Sequence, residues 1–276
     1  MLAPTRYSLA AALIASLACV AGAQPTFNEV AFGTEPVVGG TFTLTMDIYA
    51  ATTGSGPRPV VLWIHGGGWA GGSHNGVPLF ALDLRAQGIT VVSVEYRLSG
   101  QAIFPAQIED VKGAVRFLRA HAATFNIDPT KIGAWGSSAG GHLAALLATS
   151  GGVAELEGDT GGNLGFSSTI QCAADYFGPT DIINMNPDVT TPPGSTLDHD
   201  APTSPESALI GFGLAGQGIG VLRANLNNPL APFPAKVHLA NLVNPVTHVD
   251  ANDPPIFIAH GDSDTTVPNF QSVRLR

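Results

Sequence analysis

The chain has 276 residues, 45% of them hydrophobic and 12% charged, with 33 glycines and 21 prolines. That is apolar material for one large α/β domain or two small ones, and it excludes a disordered chain or a long solvated coil. With 12 Lys and Arg against 21 Asp and Glu, a formal net charge of -9 and no basic run, the chain lacks the electrostatic footprint of a nucleic-acid or anionic-membrane binder.

The chain opens with Arg6, an apolar run from Leu9 to Val20 and the small residues Ala21-Gly22-Ala23. This is the pattern of a secretory signal peptide, residues 1–23, cleaved before Gln24; the run is too short for a transmembrane anchor. Cleavage removes Cys19, and Cys172 is left without a partner, expected as a buried small hydrophobe. Residues 24–276 then form the folded domain. Thr41 to Tyr49 alternates apolar and polar residues as a half-buried strand does, and Pro59 to Ile64 reads as a strand covered on both faces. Val77 to Gln87 predicts a helix stopped by Gly88, and Ile89 to Tyr96 the next strand. Ile108, Val111, Val115, Leu118 and Ala122 fall at helical spacing, which predicts an amphipathic helix over Gln107 to Phe125. Lys131 to Trp135 (strand), Ala139 to Thr149 (helix), Ile170 to Tyr176 (strand) and Pro255 to Ala259 (strand) follow, and Asn269 to Leu275 looks like the first turns of a helix. Strands alternating with helices predict a mostly parallel central sheet with helices on both faces. Residues 184–253, rich in Pro, Asn and Gly, break the pattern and read as an irregular excursion above the sheet edge with one or two short helices. A parallel sheet would normally continue past Leu275 with another strand, so its last strand is missing from this reading.

Two motifs carry chemistry. Gly136-Ser137-Ser138-Ala139-Gly140 is a G-x-S-x-G sequence between a predicted strand and a predicted helix. Only very small residues fit the flanks of so tight a turn. The central residue is forced into strained backbone that lifts its hydroxyl off the sheet, above a helix N-terminus that favours negative charge. Ser138 is therefore the candidate nucleophile, with Ser137 a weaker choice; the alternative is a glycine-rich turn without chemistry. His65-Gly66-Gly67-Gly68-Trp69 follows the first core strand. Its glycines leave backbone N–H groups open to a substrate oxygen, so Gly67 and Gly68, with Ala139 after the nucleophile, are the expected oxyanion-hole donors. His65 is expected to hold this loop by hydrogen bonds, and Trp69 to line the substrate pocket or simply to pack.

Together with Glu95 to Leu98 (EYRL), Phe104 to Val111 (FPAQIEDV) and His260 to Pro268 (HGDSDTTVP), these motifs resemble the α/β-hydrolase fold. Within it they resemble the serine-esterase branch near hormone-sensitive-lipase-like proteins and bacterial feruloyl and acetyl-xylan esterases, over residues 40 to 276. The resemblance implies that Asp264 is the acid of a catalytic triad, with Asp262 the lesser candidate and a turn-former. Chain order in the family is Ser, Asp, His, yet no His lies among the 12 residues after Asp264. The base is expected beyond residue 276, the C-terminus being read as truncated. Of the eight histidines, His142 sits too close to Ser138 in sequence, His260 reads as a structural hydrogen-bonder, and His199 and His248 as solvated loop residues, no metal-ligand spacing being present. Arg97 and Asp110 read as structural polar groups.

The expectation is a secreted or periplasmic carboxylic ester hydrolase without metal or cofactor. It would act through an acyl-enzyme on small-molecule or polymer-borne esters: acetyl, feruloyl or short-chain. A prolyl-oligopeptidase-like peptidase is the alternative within enzymes, and a non-catalytic ester- or glycan-binding protein on the same scaffold the alternative outside them.

Overall fold

The structure, a computed structural model, describes residues 24–189 and 196–276. The expected signal peptide, residues 1–23, lies outside the described residues. Among the described residues seven strands form one sheet in the order β1-β2-β4-β3-β5-β6-β7: β1 (Phe27–Val37), β2 (Gly40–Tyr49), β3 (Arg58–Ile64), β4 (Thr90–Val94), β5 (Ile127–Ser137), β6 (Cys172–Tyr176) and β7 (Ile256–Ala259). β1 and β2 are antiparallel to their neighbours; β4, β3, β5, β6 and β7 are all parallel. The mostly parallel sheet is as expected. β1 was not anticipated: its apolar residues are interrupted by Glu29, Gly33 and Pro36, and its pairing with β2 carries register shifts.

The helices are α1 (Leu79–Leu82), α2 (Ala106–Ala120), α3 (Ala122–Phe125), α4 (Ala139–Thr149), α5 (Pro205–Leu209), α6 (Ile219–Arg223), α7 (Phe233–Val243) and α8 (Phe270–Leu275). The helix expected at 77–87 is one α turn continued as a 3-10 turn over Asp83–Gln87, ended by Gly88 at φ 84°. That expected at 107–125 divides at His121, whose ring stacks on Phe117.

Strand alternation sorts the apolar residues onto two faces. Val60, Leu62, Ile64, Val92, Val94, Ile132 and Ala134 join a large cluster with Ile108, Val111, Val115, Leu143 and Leu147 of α2 and α4. Leu209, Ile210, Phe212, Ile219 and Leu222, all from within 184–253, belong to this same cluster. The other face carries a smaller cluster, Tyr49, Trp63, Ala81, Leu82 and Val91. On that side, toward β7, Val61, Gly133, Trp135, Cys172, Ala174, Pro255 and Phe257 line an apolar cavity of about 320 Å³. Cys172 is exposed there, against the expectation of burial, because no described element covers the start of β6. β7 is the outer strand on this side of the sheet.

Polar ties fasten the connections. Arg97 and Asp110 are both buried and joined by several hydrogen bonds, 2.7–3.1 Å, as structural groups. Buried Lys112 donates to Ser150 O and Glu157, and Arg116 to the carbonyls of Glu157 and Thr160, binding the 150–162 connection to α2. Gln271 of α8 accepts from the N–H groups of Thr180 and Asp181 and donates to Asp188, which also takes Arg274.

Candidate active site

Register fixes where the loops emerge. Ile64 pairs with Gly136, Ser137 with Tyr176, and Tyr176 with Ala259, so β3, β5, β6 and β7 end side by side. The loops after these carboxyl ends share one edge of the sheet, the place where open α/β sheets bind ligands.

Ser138 stands at that edge with φ 54° and ψ -123°, a strained backbone for a residue with a Cβ. The strain is held from both sides: Ser138 N donates to Tyr176 O at 2.9 Å, and His142 N donates to Ser138 O at 2.9 Å as α4 begins. The flanking glycines are required. A Cβ on Gly136 would run into the carbonyl of Gly140, and one on Gly140 into that of Ile64. Asp175, beneath this turn, accepts from Gly178 N at 2.8 Å, while its Oδ2 has no partner among the described residues; burial pushes its carboxyl up to about 6.

The loop after β3 bends with Gly67 at φ 117°, Gly68 at 59° and Trp69 at 56°. Gly67 O accepts from the N–H groups of Ala70 and Gly71, which closes the bend. Among the described residues nothing accepts from the N–H of Gly67, Gly68 or Ala139. His65 holds the loop as expected: its Nδ1 meets Gly66 O at 2.8 Å, and its ring stacks on Tyr96 at 4.3 Å. Behind it, Glu95 lies 3.8 Å from His65 Nε2 and 2.5 Å from His74 Nδ1. Burial alone would raise the Glu95 carboxyl; the His65 and His74 imidazoles overcome this and hold it down to about 2. The hydrogen bond to Glu95 raises the pKa of His74 in turn, against its own burial.

Trp69 is 1% exposed, and its Nε1–H donates to His142 Nδ1 at 3.1 Å. His142 Nε2–H in turn donates to Val243 O at 2.7 Å, and complete burial pushes its pKa down to about 4. A neutral imidazole with both nitrogens engaged is a brace between α4 and α7, not a base for Ser138.

Ser138, Ala139, Gly68 and Trp69 share the wall of one cavity of about 90 Å³, completed by Pro179, Met185, Leu197, His199, Pro205, Glu206, Thr266 and Val267. Gly67 and Asp264 are not on this wall. Asp264 Oδ1 accepts from the N–H groups of Thr266 and Val267, at 2.8 and 2.9 Å, and so shapes the loop that does line it. Its Oδ2 lies 3.6 Å from His260 Nε2, but the His260 ring is committed to Ser272 Oγ and Val267 O.

His199 corrects the sequence expectation. It is 1% exposed, not solvated, with Nδ1 2.8 Å from Glu206 Oε1 and Nε2 2.9 Å from Thr266 O. Its acidic neighbours mislead: Asp198 turns to Asn186 and the N–H of Asp200, and Asp200 pairs with Arg223. His248 is half-buried and donates to Leu242 O at 2.8 Å, so it too is no free loop group. Glu206 was not anticipated at all. Ser204-Pro205 is a helix-start signal, and Ser204 Oγ does accept from Ser207 N at 3.1 Å, which places Glu206 in the first turn of α5. Nothing in the sequence pairs Glu206 with a histidine seven residues earlier.

The BD-FAE family model matches residues 46–276. This chain belongs to the BD-FAE family. It is 31% identical over 222 residues, 78% of its own length, to esterase LipQ of Mycobacterium tuberculosis. It spans only 44% of LipQ, less than half the length of that curated relative. Among solved structures it is similar to a truncated carbohydrate esterase from gut microbiota, at 30% identity and TM-score 0.72, covering 90% of this chain and 81% of that one. It is likewise similar to a bifunctional GH43-CE protein of Bacteroides eggerthii, at 35% identity and TM-score 0.71, covering 90% of this chain and 32% of that one. The fold of this BD-FAE chain is that of the α/β-hydrolases. No helix of the described residues is long and apolar enough to cross a membrane.

Proposed function

We propose that this BD-FAE protein is an exported carboxylic ester hydrolase working through Ser138. The observation that carries this is the strained Ser138 at the head of α4, sharing a cavity wall with Gly68 and Ala139, whose N–H groups have no described acceptor. In the reaction Ser138 Oγ attacks the ester carbonyl. The N–H groups of Gly67, Gly68 and Ala139 hold the oxyanion, the alcohol leaves, and water releases the acid from the acyl-enzyme. Asp264 orients the imidazole that takes the Ser138 proton. His142 is held between Trp69 and Val243 O, and His199 between Glu206 and Thr266 O, so neither is the base in this scheme.

The substrates we propose are short-chain esters, acetyl groups on carbohydrate above all. Likeness to a carbohydrate esterase structure supports the alcohol side, and the small cavity beside Ser138 suits a small acyl group better than a feruloyl one. The expected signal peptide supports export to such polymers.

The test is hydrolysis of 4-nitrophenyl acetate and butyrate by the full-length protein, wild type against Ser138→Ala. A loss of at least about 10³-fold is expected. Tight binding of acetylated glycan, with turnover no higher than in Ser138→Ala, would instead make this a binding protein on a hydrolase scaffold.

A further inference from the structure

Glu206 brings a carboxylate to the wall of the Ser138 cavity, and the ester chemistry above does not use it. It is 2% exposed. Its Oε1 meets His199 Nδ1, while its Oε2 is buried with no hydrogen-bond partner among the described residues. A buried carboxylate oxygen without a donor is costly, and such groups are rare in folded proteins.

The surroundings state what would satisfy it. Trp69, Pro179, Met185, Leu197, Pro205 and Val267 give the cavity a largely apolar lining. His199 faces a carbonyl, Thr266 O, at one nitrogen and the Glu206 carboxylate at the other, both of them acceptors. That arrangement favours the imidazolium form, which donates from both nitrogens. Its pKa is accordingly raised: burial works against the charge, and the Glu206 carboxylate overcomes it. The pair is neutral overall, so it does not call for a cation; it calls for a neutral O–H. A short acyl group has no such donor, which leaves the alcohol.

We propose that Glu206 Oε2 accepts a hydrogen bond from a free hydroxyl on the alcohol moiety of the substrate, so that the Ser138 site selects partly acylated sugars and other polyols over esters of simple alcohols. His199 is the positioning residue. Held at Thr266 O, it fixes the Glu206 carboxylate with Oε1 occupied and Oε2 turned to the ligand. This rests on the ester-hydrolase scheme above and names what that site distinguishes. A site built to bond a hydroxyl rejects the analogue lacking it, because its own polar group is then left unpaired.

The experiment compares a methyl xyloside carrying one acetyl group with its deoxy analogue, in which the neighbouring free hydroxyl is replaced by hydrogen. The readout is the ratio of the two kcat/KM values for the full-length protein. The wild-type ratio is expected to favour the hydroxylated ester by roughly 10–100-fold, the range of one hydrogen bond to a charged group. Glu206→Gln is expected to bring the ratio down toward one. His199→Gln is expected to raise KM for the hydroxylated ester more than for the deoxy ester. A wild-type ratio near one overturns the proposal whether or not the variants fold, and so does a ratio unchanged in Glu206→Gln. In both cases turnover that Ser138→Ala abolishes leaves the esterase scheme standing. Absence of turnover of either ester overturns the scheme and the proposal together.

Discussion

The turn at Ser138 and the stretch from His199 to Glu206 face the same cavity, but they are built by opposite means. At the turn everything is local. Five residues, Gly136 to Gly140, dictate a geometry that almost no other residues could adopt, since any Cβ on Gly136 or Gly140 collides with backbone. At the second wall a local helix start places Glu206, but the ties that hold the wall come from farther along the chain. His199 is held by Glu206 and by Thr266, 67 residues away, and the segment is anchored because Leu209 and Ile210 reach the main core. Steric necessity leaves a trace in sequence; a pairing made across a fold does not.

The largest effect that would test this contrast is at the turn. Gly140→Val is expected to cost about 4 kcal/mol or more, or to prevent folding, because the Ile64 carbonyl cannot withdraw from a paired strand. Urea denaturation measures it. A variant of near wild-type stability would mean that the turn relaxes and that its strain is not imposed.

Trp69→Phe should follow, at about 1–3 kcal/mol. It removes the donor to buried His142 Nδ1, leaving that nitrogen unpaired, and loosens the bend carrying Gly67 and Gly68. Because that bend is proposed to hold the oxyanion, kcat should fall more than KM rises.

Asp175 supplies a pH-dependent check on the same turn. Its folded pKa, about 6, lies above the ordinary 3.8. The folded chain therefore binds its proton more tightly than the unfolded chain does. The stabilisation is complete below about pH 3.8 and is lost as pH rises to about 6. Thermal melts of wild type and Asp175→Asn between pH 4 and 7 should diverge, the wild type losing stability relative to the variant as pH rises. Parallel curves would show that Asp175 reaches a donor it lacks here.

The smallest effect belongs to the other wall. Arg223 pairs with Asp200 and donates to Ile183 O, but the ion pair is partly open to water, its side chains 29% and 25% exposed. Arg223→Met should cost about 1 kcal/mol or less, an amount that shrinks in high salt. A larger loss would show that the segment depends on this pair more than on the burial of Leu209 and Ile210.

Most of the sheet was legible in the letters alone, since short apolar or alternating runs rich in β-branched residues and bounded by turn residues favour strands. The sequence also determined the positions of Ser138 and of the Gly66-Gly67-Gly68 bend, whose geometry follows from the absence of side chains. β1 was hidden because its apolar residues are interrupted and its register with β2 slips. Only the folded chain shows that Cys172 is exposed, which depends on what covers the sheet. Only it decided that His199 is buried, which depends on a carboxylate and a carbonyl brought from elsewhere. The physical reason is one of range. Backbone sterics act between neighbours and are written in adjacent letters, whereas the burial of a polar group is settled by partners that only the folded chain brings within 3 Å.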